Sequence, residues 1–177
     1  CAGMASAATV YTDTAASSVY SNGWQTGDNG GSGFSAWTIT ASGGSGGFAG
    51  AFIGNPNDAG IGTMGTQAFG LYANPAGSGA SVSASRSFIR PLVTGDVFSL
   101  QWGMNWDGGN STFGNKGIKL FAGGTEVVNV LNGGNEKIFV NGADTGFSYG
   151  TAAMTWSFTL TSPTNLRIQA NDRDGSG

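Results

Sequence analysis

The sequence predicts an all-β fold: an antiparallel β-sandwich of jelly-roll or lectin-like type, with about ten strands. Two observations predict it. Apolar residues recur at every second position in several segments, and turn dipeptides rich in Gly and Asn separate these segments at short intervals. Helical periodicity is also nearly absent. With 177 residues, the chain is long enough to bury a core as one domain.

The clearest strands have one apolar face and one polar face, which is typical of antiparallel sheets. This alternation is visible in "DVFSLQWGMNW" (96–106), "MTWSFTLTS" (154–162) and "NLRIQAN" (165–171). Weaker strands are expected at 8–13, 34–40, 47–54, 68–73, 81–88, 117–122, 125–131 and 136–141. The apolar faces predict a core that includes Trp37, Phe98, Leu100, Trp102, Met104, Trp156, Phe158, Leu160 and Ile168.

No Pro-rich linker or charge run divides the chain, so we expect residues 8–177 to form a single β-sandwich domain. Residues 1–7, "CAGMASA", are interpreted as a signal-peptide remnant or an N-terminal tether, because their last three residues form a small-x-small pattern before Ala8. Cys1 also fits the acylated cysteine of a bacterial lipoprotein, which makes it a candidate lipidation site.

Composition narrows the range of functions. Only 10% of the residues are charged, against about 25% in ordinary soluble domains, and 33 residues are glycine. Such a surface is typical of secreted β proteins, so we expect a secreted, extracellular or cell-surface location. The seven basic residues form no run that could neutralise a phosphate backbone, which argues against a nucleic-acid partner. No apolar segment approaches the ~20 residues of a transmembrane helix.

The residue content argues against catalysis. Histidine is absent, which removes the commonest general base and the usual zinc ligand. A glycosidase needs two carboxylates within about 10 Å of each other. If "NGGN" is a four-residue hairpin loop, Leu131 lies opposite Glu136, and Glu126 is then roughly 16 Å away at ~3.3 Å per residue. We therefore expect no enzymatic activity.

Three glycine-rich stretches raise the question of a ligand or calcium loop: "GDNGGSG" (27–33), "WDGGN" (106–110) and "NDRDGSG" (171–177). In the third, Asp172 and Asp174 resemble part of a calcium loop, but Ala170 stands where another ligand is needed. The first is interpreted as a turn that delivers Trp37 into a core strand. No cofactor is expected, and a structural calcium ion at Asp172 and Asp174 is the open alternative.

Carbohydrate recognition is suggested by two tryptophans that adjoin polar residues. Carbohydrate sites stack a sugar on an exposed ring and add amide or carboxylate hydrogen bonds. The candidate ligand-binding residues are Trp24, Trp106, Asp107 and Asn110. Core packing is the alternative for Trp106, because it continues the apolar register of 98–104.

Several segments together resemble a known group of proteins. These are "NGWQTGDNGGSGFSAWTIT", "FAGAFIGN", "AFGLYAN", "RSFIRPLVTGDVFSL" and "GFSYGTAAMTWSFTLT". They resemble secreted bacterial β-sandwich proteins of the Verrucomicrobia-type, PEP-CTERM-sorted family. The resemblance implies export and attachment to, or release into, a polysaccharide-rich envelope. It also implies further strands after Gly177, so we expect a truncated or processed C-terminus.

Two functional hypotheses from different classes follow. The first is a structural matrix, filament or coat subunit that associates with copies of itself through β-strand edges. Its expected elements are an open edge at 164–171 and a donated N-terminal strand within 8–20. The second is a carbohydrate-binding module that recognises extracellular polysaccharide.

Overall fold

The computed structural model describes residues 11–74, 79–104, 115–133, 137–148 and 152–171. These residues form eleven strands and two short 3₁₀ helices, Ser18–Tyr20 and Pro56–Ala59. The strands are β1 (Thr38–Ser42), β2 (Phe48–Gly54), β3 (Ala68–Asn74), β4 (Ser81–Ser85), β5 (Val97–Trp102), β6 (Lys116–Ala122), β7 (Thr125–Asn132), β8 (Lys137–Val140), β9 (Ala143–Ser148), β10 (Met154–Ser162) and β11 (Asn165–Ala170). All pairs among these strands are antiparallel. The predicted all-β, sandwich-like class is confirmed.

The described residues group into two compact units. Unit 1 contains the described residues up to Asn55 together with Thr66–Leu92. Unit 2 contains Pro56–Gly65 and the described residues from Val93 onward. The single domain predicted over 8–177 stays a prediction.

Unit 1 is built around a two-stranded ribbon. β1 pairs with β4, with Thr38 opposite Ser85, and β2 pairs with β3 as far as Gly54 opposite Ala68. β1 leads into β2 and β3 leads into β4, and the pairing register shifts by only one residue between the two pairs. The β2–β3 pair therefore continues the β1–β4 pair as one two-stranded ribbon. Within the described part of unit 1, no third strand pairs with this ribbon.

Unit 2 contains a three-stranded sheet with the order β11-β10-β5 and a four-stranded sheet with the order β6-β7-β8-β9. Apolar side chains from one face of each sheet meet in a common core, as in a β-sandwich. Its buried members are Val128, Val130, Ile138, Met154, Trp156 and Phe158.

The alternation predicted for this core is confirmed by the pairing register. Phe158 lies opposite Phe98 on one side and Ile168 on the other, so all three share one face of the sheet. Among the predicted core residues, Met104 and Trp156 are also buried. Leu100, Trp102 and Ile168 are half-buried against the core, Leu160 is half-buried, and Trp37 belongs to unit 1.

Two local predictions are wrong, and one strand was not predicted. Residues 11–13 form no strand, although a strand was expected over 8–13. β9 was not predicted, because "ADTGFS" lacks apolar alternation. In the β7–β8 hairpin, Leu131 lies opposite Phe139 rather than Glu136, because Asn132 already pairs with Ile138. The 16 Å separation therefore rested on a wrong register; Glu136 itself lies outside the described residues.

Candidate functional site

The most polar buried arrangement in unit 1 is an ion pair between Arg86, which follows β4, and Asp13, in the segment before the first 3₁₀ helix. Arg86 Nη1 donates to Asp13 Oδ2 at 2.5 Å, and the two side chains are 7% and 8% exposed. Nε of the guanidinium donates to the Ser35 carbonyl (3.1 Å), and Nη2 donates to Asn29 Oδ1 (3.2 Å) and to the Gly30 carbonyl (3.3 Å).

Aromatic rings enclose the same guanidinium. Its Cζ lies 4.5 Å from the ring centroid of Phe34 and 4.6 Å from that of Trp37, within the range of cation–π attraction. The anion-binding geometry of Arg86 is thus already used by the chain's own Asp13. The arrangement can hold residues 11–20 against β4, and it presents no vacant carboxylate site.

The Tyr20 hydroxyl completes this network. It donates to Asp13 Oδ2 at 2.5 Å and accepts from the Gly30 amide and Trp37 Nε1, each at 3.2 Å. Burial, followed by the hydrogen bond to Asp13, raises the pKa of Tyr20 above its ordinary value of 10.0. Tyr20 therefore stays protonated to a higher pH than an exposed tyrosine and serves as a hydrogen-bonding anchor.

The glycine-rich stretch at 27–33 closes over this network. A Cβ at Gly31 would lie 1.9 Å from the Thr12 carbonyl oxygen, and one at Gly33 would lie 1.9 Å from the Tyr11 ring. Glycine is needed here for close approach and for the positive φ of both residues. "GDNGGSG" is therefore a turn that packs on the N-terminal segment, and Trp37 follows it directly before β1.

Trp24 is placed differently from the expectation. Its polar neighbours in the sequence predict a ring that stacks on a sugar, but Trp24 is only 6% exposed. Its ring centroid lies 5.0 Å from that of Trp37 and 4.7 Å from that of Phe69, so Trp24 is part of a buried aromatic cluster. A buried ring has no free face for stacking, which corrects that part of the carbohydrate hypothesis.

The other predicted site residues lie outside the described part of the chain. These are Trp106, Asp107 and Asn110 for carbohydrate, Asp172 and Asp174 for calcium, and Cys1 for lipidation. Their roles stay predictions. Among the described residues there is no group of three or more His, Cys, Asp or Glu side chains that could hold a metal ion.

An exposed feature that the sequence analysis missed lies on one face of the β2–β3 pair. We call Phe48, Tyr72 and Phe52 the aromatic strip; they are 62%, 38% and 46% exposed. The ring centroid of Tyr72 lies 6.5 Å from that of Phe48 and 6.1 Å from that of Phe52. Glycines occupy the paired positions, since Gly50 lies opposite Tyr72 and Gly70 opposite Phe52. In the sequence, the strip was visible as aromatic residues and glycines that alternate at every second position of β2 and β3.

Exposed ion pairs occur on the four-stranded sheet of unit 2. Lys119 Nζ lies 2.6 Å from Glu126 Oε2 on the β6–β7 hairpin, and Lys137 pairs with Asp144 on the β8–β9 hairpin. The hydrogen bond from Lys137, and then that from the Gly146 amide, lowers the pKa of Asp144 below 3.8. These pairs place charge along the two hairpins.

Comparison with protein-family models, with curated proteins and with solved structures found no match for this chain. In the part of the chain that the structure describes, no helix is long and apolar enough to cross a membrane. The roles of the aromatic strip and of the unit 1 ribbon are therefore inferred from the contacts and exposure of their own residues.

Proposed function

We propose that this protein is a non-enzymatic structural subunit, secreted to the cell surface or extracellular matrix, whose copies associate through β-strand edges. The ribbon of unit 1 is the feature that supports this most directly. Its four strands, β1 to β4, contain no charged residue and no proline. Those residues are the usual means by which proteins prevent edge-to-edge pairing.

The edge strands of unit 2 differ from this ribbon. Three of its four edge strands carry a charge: Lys119 on β6, Asp144 on β9 and Arg167 on β11. Charged side chains at an edge oppose the approach of another strand. β5 is the one uncharged edge strand among the described strands of unit 2, whereas all four strands of unit 1 are uncharged, so the association is assigned to unit 1.

A two-stranded ribbon also gains stability from a further strand. An isolated pair of strands is marginally stable in water, and three or more strands are needed unless other elements cover the pair. The β1–β4 pair presents exposed Ser and Thr side chains of small size, including Thr40 and Ser81, which allow close side-by-side packing. An added strand from another copy would satisfy outward-facing backbone groups of the ribbon, except at Ile39 of β1, whose N–H and C=O are already bonded to Thr26 Oγ1.

Donation of residues 11–20 as an N-terminal strand is not part of this proposal. These residues are held within unit 1 by the Asp13–Arg86 pair, and Ala15 and Tyr20 are buried there. Withdrawing them would leave Arg86 without its carboxylate partner, which is costly for a buried charge. Association is therefore proposed through the ribbon edges themselves.

The test compares two double variants that each add two lysines. Thr40→Lys with Ser81→Lys places the charges on the exposed face of the ribbon, whereas Thr125→Lys with Thr164→Lys places them at exposed positions of unit 2. Sedimentation velocity and electron microscopy should show higher-order species for the intact protein and for the second variant, and dissociation for the first. A monomeric intact protein at every concentration, or equal dissociation of both variants, would contradict the proposal.

A further inference from the structure

The aromatic strip is exposed to solvent although it consists of three aromatic side chains. At ~200 Å² for an aromatic residue, its exposed fractions of 62%, 38% and 46% amount to roughly 300 Å² of exposed surface. Patches of this size on a single chain often mark an interaction site. The aromatic strip is therefore a candidate binding surface.

Two rings of the strip each cover a glycine on the paired strand. A Cβ built on Gly70 would lie 2.3, 2.5 and 2.7 Å from Cζ, Cε1 and Cε2 of Phe52. Three such similar distances mean that the Cβ would meet the face of the ring and not its tip. Tyr72 covers Gly50 in the same way, with its Oη, Cε1 and Cζ 2.7 to 3.0 Å from the Cβ position. Because each glycine admits one face of a ring at close range, the opposite face of each ring is left toward solvent.

The charge and size of the strip restrict what it can bind. Neither β2 nor β3 contains a charged residue, so the strip offers nothing to an ionic ligand and lacks the Lys and Arg that flank membrane-binding surfaces. Its roughly 300 Å² is well below the ~800 Å² per partner of a stable protein interface. A ligand that is uncharged and narrow fits both the lack of charge on these strands and the small area of the strip.

The polar groups beside the rings indicate the chemistry of that ligand. The Tyr72 hydroxyl belongs to the strip itself, and Asn74 lies opposite Phe48 on the same face of the pair. A sugar ring combines an apolar face of C–H groups with hydroxyls at its rim, so it can stack on the rings and hydrogen-bond to these two groups. We propose that the aromatic strip binds a single chain of a neutral polysaccharide, an activity that goes beyond the structural role proposed above.

Ring orientation adds a preference for the form of the polysaccharide. The ring planes of Phe48 and Tyr72 are inclined at 62°, and those of Tyr72 and Phe52 at 50°. A flat crystalline surface could not stack on all three rings, whereas a twisted single chain could. Soluble neutral polysaccharides are therefore the expected ligands.

The experiment is affinity electrophoresis of the full chain in gels that contain hydroxyethyl cellulose, laminarin or the acidic polysaccharide alginate. The strip variant combines Phe52→Ala with Tyr72→Ala. The matched control is Phe121→Ala, which removes a Phe that is 60% exposed on β6 of unit 2. Thermal unfolding of each variant verifies folding. Thr40→Lys with Ser81→Lys separates this proposal from self-association, because that variant keeps the strip.

At least one neutral polysaccharide should retard the intact protein, the control and the lysine variant. Binding by the strip variant should be weaker by roughly tenfold or more, which corresponds to about 1.4 kcal/mol. The proposal is overturned if neither neutral polysaccharide retards the intact protein, or if the strip variant binds as well as the control. It is also overturned if alginate alone is bound, or if the strip variant loses only its self-association, since the strip would then be an interface between copies.

Discussion

Removing the carboxylate of Asp13 is the most direct perturbation of unit 1. Asp13→Ala takes away the acceptor of both Arg86 Nη1 and the Tyr20 hydroxyl. Loss of one partner from a buried ion pair costs about 3–5 kcal/mol, because the remaining charge is left in a medium of low dielectric. Arg86 keeps its contacts with Ser35 and with the Phe34 ring, so we expect a value near the lower end, about 3 kcal/mol.

Urea unfolding followed by tryptophan fluorescence and far-ultraviolet circular dichroism measures this loss. Glu126→Ala is the matched control, because it breaks an exposed ion pair, which contributes about 1 kcal/mol or less. The double variant Asp13→Ala with Arg86→Met leaves no buried charge. It should be more stable than the sum of the two single changes implies, by a coupling energy of about 1–3 kcal/mol.

The reasoning is refuted if Asp13→Ala unfolds at the same urea concentration as Glu126→Ala. That outcome would mean that the network around Arg86 contributes no more than a surface pair. The argument that residues 11–20 are held within unit 1, and so are not donated to another chain, would then lose its support. A double variant whose loss equals the sum of the two single losses would instead show that the loss arises from altered packing and not from an unpaired charge.

Three further predictions concern stability. Trp156→Ala should cost about 3–5 kcal/mol because the side chain is 1% exposed, whereas Phe121→Ala should change the free energy of unfolding by about 0.5 kcal/mol or less in urea titrations. The pKa of Tyr20 is raised in the folded state above its ordinary value of 10.0, so the stability it contributes is present below pH 10 and is lost as the pH rises through the folded-state value. The melting temperature of the protein should therefore fall above about pH 10. The fall should be less steep in Tyr20→Phe, which has no hydroxyl to ionise. Gly31→Ala should melt at a lower temperature than Gly60→Ala. The backbone strain is matched, because φ is +73° at Gly31 and +74° at Gly60, but only a Cβ at Gly31 would meet another atom. Equal melting temperatures would contradict the packing of the 27–33 turn on the N-terminal segment.

The fold was predictable wherever a strand has one buried face. β5, β10 and β11 were expected from period-two alternation, and the pairing of Phe158 with Phe98 and Ile168 confirms that register. β9 could not be recognised in the same way. It contains Gly146 at φ +77°, and it pairs with β8 only because the folded hairpin brings it there.

The candidate sites were less predictable, because they depend on contacts between distant parts of the chain. Asp13 and Arg86 are 73 residues apart, and nothing in either local sequence predicts their pairing. Trp24 was interpreted from its polar neighbours in the sequence, but its environment is set by Phe69 and Trp37. Adjacent polar residues thus say little about whether an aromatic ring is exposed.

The distribution of the few charged residues links the two proposals. Asp13 and Arg86 place their charges inside unit 1, while β1 to β4 carry none. Unit 2 instead displays charge on three of its four edge strands. An uncharged surface favours both strand addition and stacking on a neutral sugar, because neither contact then requires a charged group to lose its hydration. The edge and the strip use different parts of the ribbon, backbone groups in one case and ring faces in the other. Lysines at Thr40 and Ser81 should therefore abolish association without weakening polysaccharide binding, and loss of the strip rings should do the reverse.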